Sequence, residues 1–176
     1  MQLFRLSLLC SAIILTASAS RGQSAAPLHF PKSGFSIEPL EAPLGQAPQQ
    51  ALMMSLPSAG GYAPNVDVEI QPYAGTMDDY MAISLAQFKS AKMKVLHQKT
   101  YGKSVAVFEY TGEARGQPLH WYAKAEKCAG RVYLVTAAAA QSQWSKVAGP
   151  LKACVDSFRC DSGEQNAAPT AVAPGR

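Results

Sequence analysis

Three histidines, His29, His97 and His120, are the first side chains in this chain to test for catalytic chemistry. Nucleophilic catalysis needs a base beside an activated Ser or Cys, and a third group that orients the base. The chain has no Gly-x-Ser-x-Gly turn and no cysteine adjoining a histidine. His97 and His120 fall on separate predicted strands and could approach in space, with Glu109 as a sheet carboxylate beside them. A cryptic hydrolase built from these three is therefore carried as an alternative; otherwise each histidine is a half-exposed strand residue. Two carboxylate pairs could do acid–base work. Asp67 and Glu69 share one strand face, which reads as the solvated side of that strand. Asp78 and Asp79 open a helix, where helix capping accounts for them. A glycosidase would need its two carboxyls to flank a sugar-binding cleft, and nothing in the sequence outlines one. There is no glycine-rich phosphate loop and no His/Cys spacing suited to zinc, so no cofactor or metal is expected.

Binding chemistry is better represented. Between Tyr80 and Phe108 stand five lysines (Lys89, Lys92, Lys94, Lys99 and Lys103) and no acid. Such a run could meet anionic headgroups, cell-wall polymer or an acidic protein face. It could equally be a solvated helix end and a strand edge that lysines protect from pairing. Tyr101, Tyr110, Trp121, Tyr122 and Tyr133 lie on adjoining predicted strands and could form an amphipathic platform. The candidate binding residues are thus Lys89, Lys92, Lys94, Lys99, Tyr101, Trp121 and Tyr122. The net charge of +4, part of it from Arg5 in the leader, is too mild to argue for nucleic acid.

The chain has 176 residues, 48% hydrophobic and 16% charged. That suits one packed core and is short for two ordinary domains. Residues 1–19 read as a secretory signal peptide, with Arg5, an apolar run from Leu6 to Ala17, and the small-residue site Ala17-Ser18-Ala19. The run is shorter than the ~20 residues that span a bilayer, so no retained membrane span is expected. Cys10 follows Leu9 and precedes the end of the apolar run, which argues against a lipid-modified cysteine. Cleavage near Ala19 would leave a loose leader at 20–28, a domain at 29–160 and a disordered tail at 161–176, in the periplasm or medium.

Export leaves Cys128, Cys154 and Cys160, an odd number. Arg131 to Ala139 reads as a strand and Gln143 to Phe158 as a helix returning beside it. At ~3.3 Å per residue, Cys128 lies about 36 Å back along the strand from Ala139. The helix returns Cys154 only about 17 Å but Cys160 roughly 25 Å or more. A Cys128–Cys160 disulfide is expected, with Cys154 a buried small hydrophobe on the stripe Val147, Leu151, Cys154, Phe158.

The remaining elements follow from pattern. Gly34 to Leu40 and Ala51 to Leu56 are short strands bounded by Pro39 and Pro57. Val66, Val68 and Ile70 alternate with Asp67, Glu69 and Gln71. Thr76 and Asp79 form a capping box for a helix over Thr76 to Met93, with an apolar stripe of Met81, Leu85 and Phe88. Val95–Tyr101, Ser104–Thr111, Leu119–Glu126 and Arg131–Ala139 are joined by tight turns and form a meander. Val105–Tyr110 and Val132–Ala137 are apolar or aromatic on both faces and must be covered on both. The fold class is α+β: a single antiparallel sheet of about six or seven strands flanked by helices on both faces, an α/β/α sandwich.

The opening Gly34-Phe-Ser-Ile-Glu-Pro39, the Asn65-Val-Asp-Val-Glu-Ile strand, the helix beginning Thr76-Met-Asp-Asp-Tyr, the strand pair around Gly102, the Trp121 strand, the Arg131-Val-Tyr-Leu-Val-Thr strand and the helix ending Asp156-Ser157-Phe158 follow one another in an order that resembles the PsbP-like superfamily. The likeness is greatest to its small exported bacterial members of the DcrB type. The resemblance implies a non-catalytic binding or assembly module with no family-wide catalytic residues. The expected partner is an envelope protein or an amphipathic ligand.

Overall fold

A computed structural model describes residues 26–40, 45–58 and 61–160. The signal peptide, most of the leader, Cys10 and the 161–176 tail lie outside the described residues. Contacts divide the chain into two units, Met1–Pro43 and Leu44–Arg176.

In the first unit, β1 (Leu28–Phe30) pairs antiparallel with β2 (Phe35–Ile37). The Phe30 and Phe35 rings stack at 4.8 Å across this hairpin. The strand expected at Gly34–Leu40 is therefore shorter, and it belongs to a separate two-stranded sheet. Its partner comes from the residues just before it, which a short Pro-Lys-Ser-Gly turn brings within pairing distance.

The second unit is α+β, a six-stranded antiparallel sheet with two helices against it. The strands are β3 (Gln49–Ser55), β4 (Asn65–Pro72), β5 (Lys94–Tyr101), β6 (Val105–Ala114), β7 (Gln117–Cys128) and β8 (Arg131–Ala140). Their spatial order is β3-β4-β8-β7-β6-β5. The meander β5–β8 is as the sequence predicts, and the β3–β4 hairpin adds to its β8 edge. Arg115-Gly116 and Ala129-Gly130 are two-residue hairpin turns with φ values of 52° and 74°, then 48° and 74°. Paired positive φ values match the right-handed twist of the flanking strands, and glycine takes the second position without steric cost.

Helix α1 (Met77–Ser90) starts as its capping box requires: Thr76 Oγ1 accepts from Asp79 N at 3.1 Å, and Asp79 Oδ2 accepts from Thr76 N at 3.2 Å. It stops three residues before the expected Met93. Lys92 takes a left-handed φ of 56°, and Met93 N turns back to Phe88 O at 2.8 Å. The buried line is Met77, Tyr80 and Ser84, with Met81 and Phe88 partly buried beside it, so the stripe centre lies one position from the expected one. Helix α2 (Trp144–Ser157) buries Leu151 and Val155 despite Pro150 in its interior. That proline removes one helical N–H and disfavours a straight helix, so α2 depends on what it packs against.

The register separates two apolar clusters. Ala106, Phe108, Tyr110, Ala123, Ala125 and Val132 pack with Met77 and Tyr80 of α1. Val66, Val135, Ala137 and Ala139 pack with Leu151 and Val155 of α2. On β8 the even position Val132 belongs to the first cluster and the odd positions Val135, Ala137 and Ala139 to the second, since alternate side chains of a strand point to opposite faces. Among the described residues no helix is long and apolar enough to cross a membrane.

The chain after α2 lies along one face of β7. Lys124 Nζ donates to Phe158 O at 2.7 Å, and Cys160 N donates to Glu126 Oε1 at 3.4 Å. Two residues further along the same face stands Cys128, whose side chain is in hydrogen-bond contact with the Cys160 thiol. Burial first, and then Cys128, push that thiol up to about 12. Cys154 is elsewhere, against Met54, Pro150 and Leu151. No disulfide joins the three cysteines in the structure. The geometry leads to a prediction: thiol–disulfide exchange with oxidised glutathione, which becomes two reduced thiols, should link Cys128 to Cys160. Closing a loop of roughly thirty residues should stabilise the fold by about 3–4 kcal/mol. Non-reducing peptide mapping with a denaturant melt checks this; a Cys154 linkage, or no gain in stability, would contradict it.

Candidate functional site

On the α2 face, the sheet meets the helix through a chain of polar contacts. Glu109 on β6 and His120 on β7 stand on this face because their cross-strand partners are Tyr122 and Thr111. His120 is buried, and its Nε2 lies 2.9 Å from Glu109 Oε1. An ionised carboxylate only accepts, so Nε2 carries the proton in this contact. Lys152 from α2 donates to both Glu109 oxygens at 2.8 Å. The His120 ring stacks on Trp144 at 3.9 Å. One turn beyond Lys152, Asp156 accepts from the Tyr122 hydroxyl at 2.9 Å. Burial tends to raise the Glu109 pKa, but hydrogen bonds from Lys152 and His120 outweigh it and hold the carboxyl below its ordinary value.

His97 stands directly across from Glu109 on β5, so the two imidazoles of the hydrolase alternative share a sheet face. Only one of them meets the acid. His97 is exposed and forms no hydrogen bond or ion pair among the described residues. Both oxygens of Glu109 are occupied, and the nearby Tyr122 hydroxyl is donated to Asp156.

The other face carries a groove of about 340 Å³ between α1 and the sheet. Its walls include Tyr73, Tyr80 and Phe88 on one side and Phe108, Tyr110 and Leu134 on the other. Phe88 stacks on Tyr110 at 4.2 Å, and Tyr73 meets Tyr80 edge-on at 5.2 Å. The polar groups are few: the Tyr80 hydroxyl donates to Gln71 Oε1 at 2.8 Å, and Ser84 Oγ donates to Tyr80 O at 2.8 Å. Tyr110 is 9% exposed, and its hydroxyl has no hydrogen-bond partner among the described residues. Burial first, and then Glu69 and Tyr73, raise the Tyr80 phenol to about 12. Burial and then Asp67 push Tyr110 up as well. Apolar walls with a few fixed polar atoms are what a small-ligand site requires.

The sequence candidates do not form one surface. A bulge between Val95 and His97 puts Lys94, Lys99 and Tyr101 on the α2 face with Tyr122. Lys99 Nζ sits 4.7 Å over the Tyr101 ring. Tyr101 and Tyr122 line a shallow cleft of about 450 Å³ with Lys124, Asp156 and Arg159. Trp121 faces the α1 side, stacked on Tyr110 at 5.2 Å. Lys89 and Lys92 are exposed at the end of α1. The aromatic platform is thereby split between two faces, because Trp121 and Tyr122 are successive residues of one strand. The sequence places an amphipathic partner at the sheet–helix surface but does not single out the residues of this groove. Its one signal was the pair of polar residues, Gln71 and Ser84, set among apolar neighbours.

No family model and no curated protein matches the chain. Among solved structures the chain is similar to PA94, a protein of unknown function from Pseudomonas aeruginosa, with a TM-score of 0.53 and 13% identity over 77% of this chain and 96% of that one. The likeness shows the fold alone.

Removing the Glu109 carboxylate should cost about 1–3 kcal/mol, since Lys152 and the buried His120 lose their acceptor. A lowered carboxyl pKa contributes stability that is complete above the ordinary value of 4.5 and is lost as pH falls below it. Thermal melts from pH 7 to pH 3 should therefore show a shallower acid decline for Glu109→Gln than for the parent. An unchanged profile would contradict the clamp.

Proposed function

We propose that this chain is an exported, non-catalytic binding module of the bacterial envelope, a PsbP-like α/β/α sandwich of the DcrB type. It holds an amphipathic partner in the groove between α1 and the sheet. The observation that carries this reading is the aromatic groove itself, walled by Tyr73, Tyr80, Phe88, Phe108 and Tyr110. Two further features support it. On the α2 side the polar groups are spent on one another, His120 and Lys152 on Glu109 and Tyr122 on Asp156, which reads as a helix clamp. The order of the strands and helices also follows the resemblance drawn from the sequence.

The test is titration of the purified chain with prodan, a neutral naphthalene dye whose emission reports an apolar site. Saturable one-to-one binding is expected. Ser84→Trp, which fills the groove from the helix, should abolish it while the melting curve stays cooperative. Absence of saturation in the parent, or equal binding in the filled variant, would overturn the reading.

A further inference from the structure

We infer that the groove between α1 and the sheet selects an organic cation, an ammonium or guanidinium group on a small apolar body. Asp67 and Glu69 receive the charge, and the aromatic rings receive the body. This rests on the groove reading above and adds the charge of its ligand.

The placement follows from register. Asp67, Glu69 and Gln71 alternate along β4 and pair across to Thr136, Leu134 and Val132 of β8, which puts them on the α1 face. Gln71 and Leu134 line the groove. Glu69 lies directly across from Leu134, and Asp67 is the next position on that face. The sequence reads this as a solvated strand side. In the fold both carboxylates are half-buried, and neither forms an ion pair among the described residues. Each lies within electrostatic reach of a groove tyrosine: Glu69 raises the pKa of Tyr80, and Asp67 raises that of Tyr110. Burial and then Glu69 push the Asp67 carboxyl itself above the usual carboxylate range. The strand thus holds two half-buried carboxylates without an ion pair among the described residues, in a chain of net charge +4.

Aromatic faces attract cations electrostatically, most strongly where water is excluded. The groove already shows this at one end. Lys127 Nζ lies 5.9 Å from the Tyr73 ring centroid and donates to Gly75 O, with the Asp79 carboxylate close enough to be lowered by it. That lysine is committed to Tyr73, and Asp67 and Glu69, on the same sheet face beyond the residues that line the groove, have no cation of their own among the described residues. A neutral occupant would leave both carboxylates uncompensated, and an anion would meet them at close range. A cation satisfies the acids and the rings. The volume of about 340 Å³ fits a small ligand.

The experiment is calorimetric titration of the full chain with three probes that share one ring: benzyltrimethylammonium, benzyl alcohol and phenylacetate. The cation should bind one-to-one and at least about tenfold tighter than either of the others. Asp67→Asn with Glu69→Gln should lose about tenfold in cation affinity and leave benzyl alcohol unchanged. Asp67→Asn alone should keep or raise Tm at pH 7 while weakening the cation, a combination that a structural role for the acid would not give; this single variant also keeps the test usable if the double variant unfolds. Equal binding of all three probes, tightest binding of phenylacetate, or cation binding indifferent to both variants would overturn the inference and leave the groove reading intact. Failure of all three probes with prodan still saturating would do the same. Failure of prodan as well would remove both.

Discussion

Ala106, Val107 and Phe108 are consecutive residues of one strand, and all three are buried. Successive side chains of a strand point to opposite faces, so this sheet has no side that water can cover. Both sides need protein over them, and among the described residues each has a single helix. A helix with its side chains is about 10–12 Å wide, whereas six strands at about 4.8 Å spacing span roughly 24 Å between the outermost backbones. Among the described residues, one helix per face leaves part of each face without a helix over it. The groove beside α1 and the cleft beside α2 are the consequence of that mismatch, and the residues bordering them decide what each can do.

The two faces resolve the shortage differently. On the α2 side, small and aliphatic residues (Val66, Val135, Ala137 and Ala139) let the helix sit close. A proline-interrupted helix gains from being tied down, and Lys152, Asp156 and Trp144 tie it to Glu109, Tyr122 and His120. Polar groups paired in this way hold geometry and have little capacity left for a ligand. On the α1 side, the rings of Tyr73, Tyr80, Phe88, Phe108 and Tyr110 border the groove. The polar residues there include two carboxylates that have no ion pair among the described residues. The side-chain hydrogen bonds to α2 lie on one face and the aromatic groove on the other.

The similarity to PA94 at 13% identity shows a shared fold. Alternating apolar strands and two covering helices specify a shape that many sequences can satisfy, while the residues lining a groove are free to differ within it.

By itself the sequence determined the elements: the period of two in Val66–Ile70, the Thr76–Asp79 capping box, the turn glycines of the meander, and the two-faced apolar strands that demand two covers. These are local patterns, and local rules of backbone geometry read them directly. It also brought Cys128 toward Cys160, because rise per residue fixes how far a strand and a returning helix carry the chain. The tertiary structure alone decided which side chains share a surface. A bulge at Val95–His97 placed Lys94 on the same face as Lys99, and successive positions on β7 sent Trp121 and Tyr122 apart. Register across β4 and β8 set Asp67 and Glu69 beside tyrosines distant in sequence. Pairing register and helix standoff are long-range quantities, set by how whole elements pack, and no window of neighbouring residues contains them.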